Sequence, residues 1–207
     1  MKTYVYVDGF NLYYGAVRGT PYKWLDVNRM CELLLPRDEI VRIRYFTALV
    51  KPRADDPQQG QRQQAFLRAL RTRPNLSIHY GTFLSNPVRM PLAQPTDQAR
   101  TADVIKTEEK GSDVNLASLL LADGFRSRYE VAVVISNDSD LVLPIKIVRD
   151  ELRLPVGVVN PRGSPSRQLL AVSTFFKRIR PGLLEQSQLP ETLEDDRGTI
   201  TKPQAWY

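Results

Sequence analysis

The chain has 207 residues, of which 42% are hydrophobic and 25% charged, and its 29 lysine and arginine residues exceed its 23 aspartate and glutamate residues to give a formal charge of +6. This composition is typical of one folded domain, with or without a tail, and excludes a disordered chain. No apolar run approaches the ~20 residues of a membrane-spanning helix, and the first residues alternate as a strand does rather than as a signal peptide. One cysteine cannot form an internal disulfide. We therefore expect a cytoplasmic protein with no membrane partner.

The scarcity of histidine and cysteine excludes several enzyme classes. His79 and Cys31 are single residues of their kinds, so a zinc site of several His and Cys ligands cannot be assembled within the chain. No nucleophile elbow accompanies His79, and neither a dinucleotide-binding glycine motif nor a P-loop occurs. We expect the chemistry to depend mainly on carboxylates and a bound metal.

The first half of the chain predicts alternating strands and helices. In chain order the predicted elements are a strand over 3–7, helices over 11–17 and 27–35, a strand over 40–49, an amphipathic helix over 58–71 and a strand over 76–84. Residues 85–100 are rich in Pro, Gln and Asn, which indicates a surface loop or hairpin arm. A short strand is predicted over 103–108.

The second half continues the alternation. Its predicted elements are a helix over 113–125, a buried parallel strand over 130–135, a helix over 140–152, a strand over 155–159 and a short helix over 165–171. The pattern favours a three-layer α/β/α fold with a mainly parallel central sheet. We assign residues 1–187 to this domain and 188–207, which are polar and acidic, to a C-terminal tail or docking segment.

Four aspartates follow predicted strands or begin predicted helices. Asp8 ends the first strand, Asp138 and Asp140 follow the strand over 130–135, and Asp113 begins a helix. If the two strands are neighbours, all four carboxylates converge on the carboxyl edge of the sheet, where such folds bind ligands. A hard divalent cation would relieve their mutual repulsion.

Each aspartate also has a purely structural interpretation. Asp113 and Asp140 are in positions typical of helix caps, Asp8 before Gly9 is typical of a turn, and Asp138 is typical of an Asx-turn. For a single aspartate these roles are more common than catalysis. The coincidence of all four at one predicted edge favours a shared site.

Three segments resemble the signature blocks of NYN-domain proteins. They are VDGFNLY at 7–13, EEKGSDVNLASLLL at 108–121 and SNDSDLVLPI at 136–145, in the order found in the family. NYN domains are a branch of the PIN-like nucleases that includes the LabA-like proteins. The resemblance implies a metal-dependent ribonuclease that hydrolyses phosphodiester bonds of single-stranded or structured RNA. Some relatives carry pyridine-ring hydroxylase labels.

The resemblance also implies roles for individual residues. Asp8, Asp113, Asp138 and Asp140 would bind one or two Mg²⁺ or Mn²⁺ ions and form the catalytic set. Asn11 matches the asparagine of the DGxN block and would hold a water or a phosphate, although a helix cap is the alternative.

Further candidates would contact the substrate. Ser136 and Lys110 are expected near the phosphate, and Glu109 is an additional ligand candidate, although a cap and a solvated face are the alternatives. The arginines expected to guide the RNA backbone are Arg62, Arg68, Arg71, Arg73, Arg89 and Arg100. Besides a ribonuclease, two functions stay open: a non-catalytic RNA-binding or regulatory scaffold, and an oxidoreductase of the pyridine-ring hydroxylase type. A homodimer is expected from the relatives.

Overall fold

The computed structural model describes residues 1–52, 55–95 and 100–207, and a six-stranded sheet forms its centre. The ten strands are β1 (Lys2–Asp8), β2 (Glu39–Thr47), β3 (Leu76–Tyr80), β4 (Thr82–Pro91), β5 (Thr101–Lys110), β6 (Val131–Ile135), β7 (Val156–Asn160), β8 (Phe175–Arg178), β9 (Thr192–Asp195) and β10 (Gly198–Thr201). The central sheet has the order β3-β2-β1-β6-β7-β8, and all of its pairs are parallel.

Seven α-helices connect or flank the strands. They are α1 (Gly9–Leu12), α2 (Val27–Leu34), α3 (Gln59–Leu70), α4 (Ser112–Phe125), α5 (Val142–Lys146), α6 (Arg167–Val172) and α7 (Pro181–Glu185), and wider turns of helix extend α1 to residue 17 and α5 to residue 151. Helices α1, α2, α3 and α7 cover one face of the sheet, and α4, α5 and α6 cover the other. This arrangement confirms the predicted α/β fold with a mainly parallel sheet.

Continuous apolar strands are the reason for the two covered faces. Every residue of β6 and of β7 is buried, so each strand contributes side chains to both helix layers. Val133 and Ile135 pack among α1, α2 and α3, whereas Ala132 and Val134 pack against α4 and α5. A strand that is buried on both sides lacks the polar alternation of a half-exposed strand.

The direction of strand order reverses between β1 and β6. From β1 the chain adds β2 and β3 on one side, and later adds β6, β7 and β8 on the other. Val7 pairs with Ile135 in this register, so the two strands end side by side. In parallel sheets such a reversal opens a crevice at the carboxyl edge.

Strands β4 and β5 form an antiparallel arm outside the main sheet. The arm starts earlier and ends later than the predicted loop and short strand, and residues 96–99 within it lie outside the described part of the chain. Gly81 separates β3 from β4, where one strand was predicted over 76–84. A Cβ at Gly81 would lie 2.6 Å from the carbonyl oxygen of Lys110, so only glycine allows the arm to close against its own base.

Residues after 187 pack against α3. Leu189 and Ile200 are buried with Trp24, and Trp206 contacts both Trp24 and Phe66. The indole N–H of Trp24 donates to the carbonyl of Pro190 at 2.7 Å. The segment assigned to a tail or docking segment is therefore a hairpin docked on the domain, with Leu189 and Ile200 buried and Tyr207 left exposed.

The Asp123 carboxylate is the centre of a buried network on the α4 side of the sheet. Asp123 is fully buried and accepts hydrogen bonds from the hydroxyl of Tyr6 at 2.9 Å, from Arg44 Nε and Nη2 at 2.7 and 3.0 Å, and from Arg128 Nη1 at 3.0 Å. Arg44 also contacts Nε2 of His79 at 3.2 Å. Burial and the neighbouring Arg44 lower the pKa of His79, which favours a neutral ring that accepts this bond.

Among the described residues, no helix has the length and apolar character needed to cross a bilayer.

We predict that Asp123→Ala lowers the free energy of unfolding by about 3–5 kcal/mol, because it leaves the buried Arg44 guanidinium without its partner. Arg128→Ala is the matched control: Arg128 contacts the same carboxylate, but its side chain is 45% exposed and should contribute about 1 kcal/mol or less. Urea denaturation of the two variants measures the difference. Equal losses would contradict the central role of the Arg44–Asp123 pair.

Candidate active site

Asp8 is held in place at the end of β1 by three hydrogen bonds. Its carboxylate accepts from the backbone N–H of Asn11 at 2.9 Å, from Nδ2 of Asn11 at 2.6 Å and from the hydroxyl of Ser136 at 2.9 Å. Asp8 is 4% exposed. Burial raises the pKa of Asp8, while these hydrogen bonds oppose the rise. Asp8 thus caps α1, and Asn11 is the donor to that cap rather than the cap itself.

Gly9 allows α1 to start directly at the sheet. A Cβ at this position would lie 2.7 Å from the carbonyl oxygen of Phe46 and 2.8 Å from the ring of Tyr45, both in β2. The Asp8-Gly9 pair is therefore a close strand-to-helix junction and not the turn that the sequence also allowed.

Ser136 joins the two strand ends across the sheet. It is fully buried; its hydroxyl donates to Asp8 and accepts from the backbone N–H of Asp138 at 3.1 Å. The Asp138 carboxylate in turn accepts from the backbone N–H of Asp140 at 3.0 Å. Asp138 is thus an Asx-type cap and also lies beside Asp8, so the two interpretations of this residue are compatible.

Asp113 lies in the first turn of α4 and faces the other acids. Burial and the charges of Asp8, Asp138, Glu109 and Asp140, in that order, raise the pKa of Asp113 to about 6. Four carboxylates can have this effect only if they are close. The four aspartates singled out in the sequence are therefore close enough for their charges to interact, and two of them, Asp8 and Asp113, line the same cleft.

Glu109 also stabilises the start of α4. Its Oε1 accepts from the backbone N–H of Ser112 at 3.1 Å and from the hydroxyl of Ser112 at 2.8 Å. Gly111, at φ 100°, makes the left-handed bend that leads from β5 into the helix. The glycine and serine of the KGSD sequence are thus needed to aim Asp113 at the cluster.

A cleft of about 540 Å³ lies over Asp8, Asn11 and Asp113. Helix α1 and the base of the β4–β5 arm form its walls, where the ring of Phe10 meets Phe83 edge-on at 5.8 Å. Its remaining lining residues are Tyr14, Val50, Lys51, Pro52, Gln59, Ser85, Thr107, Glu109 and Ser112. The sequence interpretation missed Phe10, Phe83 and Lys51. Phe10 lies within the VDGFNLY segment, and Phe83 and Lys51 lie in the middle of the chain, where basic residues are in excess.

The basic residues expected to contact the substrate are mostly occupied elsewhere. Arg62 is paired with Asp56. Arg68 forms a bidentate ion pair with Asp195 of the C-terminal hairpin, in which Arg68 Nε lies 2.6 Å from Asp195 Oδ2. Arg73 pairs with Asp26, and Arg89 Nε donates to the Thr101 hydroxyl at 2.9 Å. Arg71 donates to the Tyr80 hydroxyl, and Lys110 lies 3.3 Å from Glu108.

Arg62 lines the cavity next to the cleft, whereas Arg68, Arg71 and Lys110 line neither space. Their expected role as free phosphate contacts is therefore corrected for Arg68, Arg71 and Lys110. Arg68 pairs with Asp195 of a distant segment, Arg71 donates to the Tyr80 hydroxyl and Lys110 lies beside Glu108, and these contacts depend on how the chain folds.

The donor set suits a hard cation. The cluster consists of carboxylate oxygens, and within the described ranges no lysine, arginine or histidine lies within 4.0 Å of them. No three Asp, Glu, His or Cys side chains in the described part of the chain are already arranged around one ion. Mg²⁺ usually keeps several waters and binds one or two carboxylates together with substrate phosphates. This open arrangement of carboxylates therefore fits Mg²⁺ and differs from a closed site built only from protein ligands.

The raised pKa of Asp113 predicts a pH-dependent cost to stability. Because the folded chain holds the Asp113 proton up to about pH 6 and the unfolded chain releases it near pH 4, stability attributable to Asp113 falls across this interval and then levels off. We expect Asp113→Asn to stabilise the protein in EDTA near neutral pH but not at about pH 4.

Asp150→Asn is the control, since Arg149 lowers the pKa of that exposed carboxyl and its replacement should give no gain near neutral pH. Thermal unfolding at the two pH values measures both variants. A gain for Asp113→Asn that is the same at both would contradict the electrostatic origin.

Comparison with solved structures gives a fold match. A protein of unknown function from Vibrio parahaemolyticus RIMD 2210633 superposes with a TM-score of 0.56 over 91% of this chain and 96% of that chain, at 17% identity. At this identity the match concerns the fold alone.

Sequence comparisons give a curated relative and a family. The chain is 32% identical to 6-hydroxy-3-succinoylpyridine 3-monooxygenase HspA of Pseudomonas putida (strain DSM 28022 / S16), over the whole of this chain and 76% of that protein. The NYN domain model matches residues 2–179, which include β1, the acidic cluster and all six strands of the central sheet. The chain therefore belongs to the NYN-domain family.

Proposed function

We propose that this protein is a metal-dependent ribonuclease whose site is the cluster of Asp8, Asp113, Asp138 and Asp140. The observation that supports this proposal is that Asp8 and Asp113 line one cleft without a basic side chain of the described residues in an ion pair with them, while burial and the neighbouring acids raise the pKa of Asp113. Such a cluster is costly without a cation, and its cost is understandable if it serves to bind one. The membership of the chain in the NYN family agrees with this chemistry.

The four aspartates would hold one or two Mg²⁺ or Mn²⁺ ions, and Glu109 is near enough to affect their charge. A bound ion of this type polarises a phosphodiester, favours ionisation of water and stabilises the negative charge that develops during hydrolysis.

Asn11 and Ser136 have positioning roles in this proposal. Their three hydrogen bonds fix both oxygens of Asp8, so the carboxylate does not need to reorient when a ligand arrives. The Asp138 carboxylate is oriented by the backbone N–H of Asp140. Prior orientation of this kind keeps the entropic cost of forming the reactive complex low.

The cleft also suits a nucleic-acid strand. Lys51 lies in its wall and forms no ion pair within the described residues, so its ammonium group is available to a phosphate. Phe10, Tyr14 and Phe83 present aromatic surface to the same space. Cations with aromatic side chains are the usual combination for single-stranded nucleic acid.

A second candidate function is oxygenation of a pyridine ring. The observation that favours it is the 32% identity with HspA, which carries the name 6-hydroxy-3-succinoylpyridine 3-monooxygenase. A monooxygenase consumes O₂ together with a reductant, so oxygen uptake on addition of 6-hydroxy-3-succinoylpyridine and NADH, with or without a flavin, distinguishes it from a hydrolase. A ribonuclease consumes neither.

We predict that the purified protein cleaves labelled RNA with Mg²⁺ or Mn²⁺, and that EDTA stops the reaction. Asp138→Asn should reduce the cleavage rate by more than about a hundredfold, because residues that only orient a metal ligand already contribute about 10–100-fold. Denaturing gel electrophoresis of a panel of single-stranded and structured RNAs measures cleavage.

Asp150→Asn is the matched control, an exposed aspartate outside the cluster that should retain the wild-type rate. Thermal unfolding should show that Asp138→Asn is folded, since it removes one charge from a repelling cluster. If the wild type does not cleave with metal present, or if Asp138→Asn cleaves at the full rate, the proposal is wrong.

RNA binding should weaken as salt rises, because the contacts proposed for the cleft are with phosphates. We expect Lys51→Gln to lower the slope of log affinity against log salt by about 0.7, the value for one lost phosphate contact with a single strand. Lys110→Gln should leave the slope unchanged because Lys110 does not line the cleft. Fluorescence anisotropy of a labelled single-stranded RNA in EDTA measures both slopes, and equal slopes for both variants would contradict the role of Lys51.

A further inference from the structure

A second cavity adjoins the acidic cleft. Its volume is about 330 Å³, and it lies between α1, α3, the carboxyl end of β2 and the C-terminal segment. Four residues line both spaces: Phe10, Tyr14, Val50 and Gln59. Because the two spaces are adjacent, one ligand could occupy the cavity and extend into the cleft.

Aromatic side chains form much of the cavity wall. Phe10 and Tyr14 are nearly parallel, at 22° and 6.5 Å, and Tyr13 meets Tyr14 edge-on at 5.2 Å. Phe66 and Trp206 line the cavity as well. The side chains of Tyr13 and Tyr14 are 37% and 48% exposed, so these rings are not buried in the core and part of their surface is accessible to a ligand.

Two buried hydroxyl-bearing residues also line the cavity. Tyr45 and Thr47 lie two positions apart in β2, on the same face of the strand, and are 5% and 3% exposed. Their side-chain hydroxyls make no hydrogen bond with any described residue, although neighbouring side chains such as Gln63 are fully paired with Ala48 and Val50. Neither hydroxyl belongs to the fully enclosed unpaired atoms of the described chain, so both open into the cavity and are available to hydrogen-bond a ligand there.

The cavity rim is basic. Arg18 and Lys23 line it and form no ion pair within the described ranges, and the Arg18 guanidinium lies 5.3 Å from the centre of the Tyr14 ring. Asp56, which also lines the cavity, is paired with Arg62. Asp55 also lines the cavity and forms no ion pair within the described ranges, so Arg18, Lys23 and Asp55 together leave one net positive charge, which favours an anion at the mouth.

We propose that this cavity binds the base of a nucleotide whose phosphate lies towards the acidic cleft. This inference rests on the proposed nuclease function and adds a base subsite to it. A planar ring stacks on the exposed aromatic faces, and its polar edge accepts or donates hydrogen bonds at Tyr45 and Thr47. An aliphatic ligand would use neither feature.

Trp206 provides a direct assay of binding. It lines the cavity, whereas the other tryptophan, Trp24, is 1% exposed. We expect UMP or AMP to quench tryptophan emission saturably in EDTA, and ribose 5-phosphate, which has no base, to cause no change. Trp206→Phe should remove the nucleotide response. EDTA prevents turnover, so this assay is independent of whether the protein cleaves RNA.

Tyr45→Phe and Thr47→Val remove the two hydroxyls and preserve the side-chain volume. Each should weaken nucleotide binding about three- to tenfold, the value of one hydrogen bond. Tyr4→Phe is the matched control, since Tyr4 lies on the other face of the sheet among α4 residues and does not line the cavity. It should bind as the wild type does, and thermal unfolding should show all three variants folded.

Equal binding of UMP and ribose 5-phosphate, or unchanged affinity in both hydroxyl variants, would overturn the base subsite even if RNA is cleaved. Nucleotide binding with these variant effects in a protein that does not cleave RNA would support the subsite and reject the nuclease. Binding of 6-hydroxy-3-succinoylpyridine in place of both nucleotides would reject the nucleobase assignment and favour a free heterocycle as the occupant.

Discussion

The parallel pairing of β1 with β6 determines where the functional groups of this chain lie. These strands are far apart in sequence, and Val7 is paired with Ile135. The pairing places Asp8 beside Ser136, so one serine hydroxyl bonds the aspartate and orients the loop that carries Asp138 and Asp140. If the register slipped by one residue, Asp8 would point to the other face of the sheet. The acidic site therefore depends on the same contacts that build the core.

This arrangement has a local electrostatic cost. Burial raises the pKa of both Asp8 and Asp113, and at Asp113 the charges of Asp8, Asp138, Glu109 and Asp140 add to the rise. Hydrogen bonds from Asn11 and Ser136 offset part of the cost at Asp8, but Asp113 has no donor among the described residues. The uncompensated part is concentrated at the edge of the cleft, where a cation or substrate can remove it. Perturbed acids in a cleft are typical of functional sites.

Away from this site, the two aspartates that are buried in the described part of the chain, Asp26 and Asp123, are paired with arginines. The Asp123 carboxylate receives four hydrogen bonds from Tyr6, Arg44 and Arg128, and Arg68 ties α3 to the C-terminal hairpin. The contrast separates two uses of aspartate in one protein. Where an arginine is supplied, the carboxylate stabilises the fold, and where it is not, the carboxylate stays available to a ligand. The docked hairpin also brings Trp206 to the cavity beside the site, so a segment outside the matched NYN region completes that wall.

Local sequence patterns were sufficient to predict the fold class and to single out the acidic residues of the candidate site. Continuous apolar runs such as 131–135 indicate strands covered on both faces, and short motifs carry Asp8, Asp113, Asp138 and Asp140 because strand ends and helix starts have local sequence signals. The tertiary structure was needed to show the partners of the cations, the role of Asp123 and the position of Tyr45 and Thr47 beside the cleft. These depend on contacts between residues that are distant in sequence, such as Arg68 with Asp195, and hydrophobic periodicity carries no information about which segments meet.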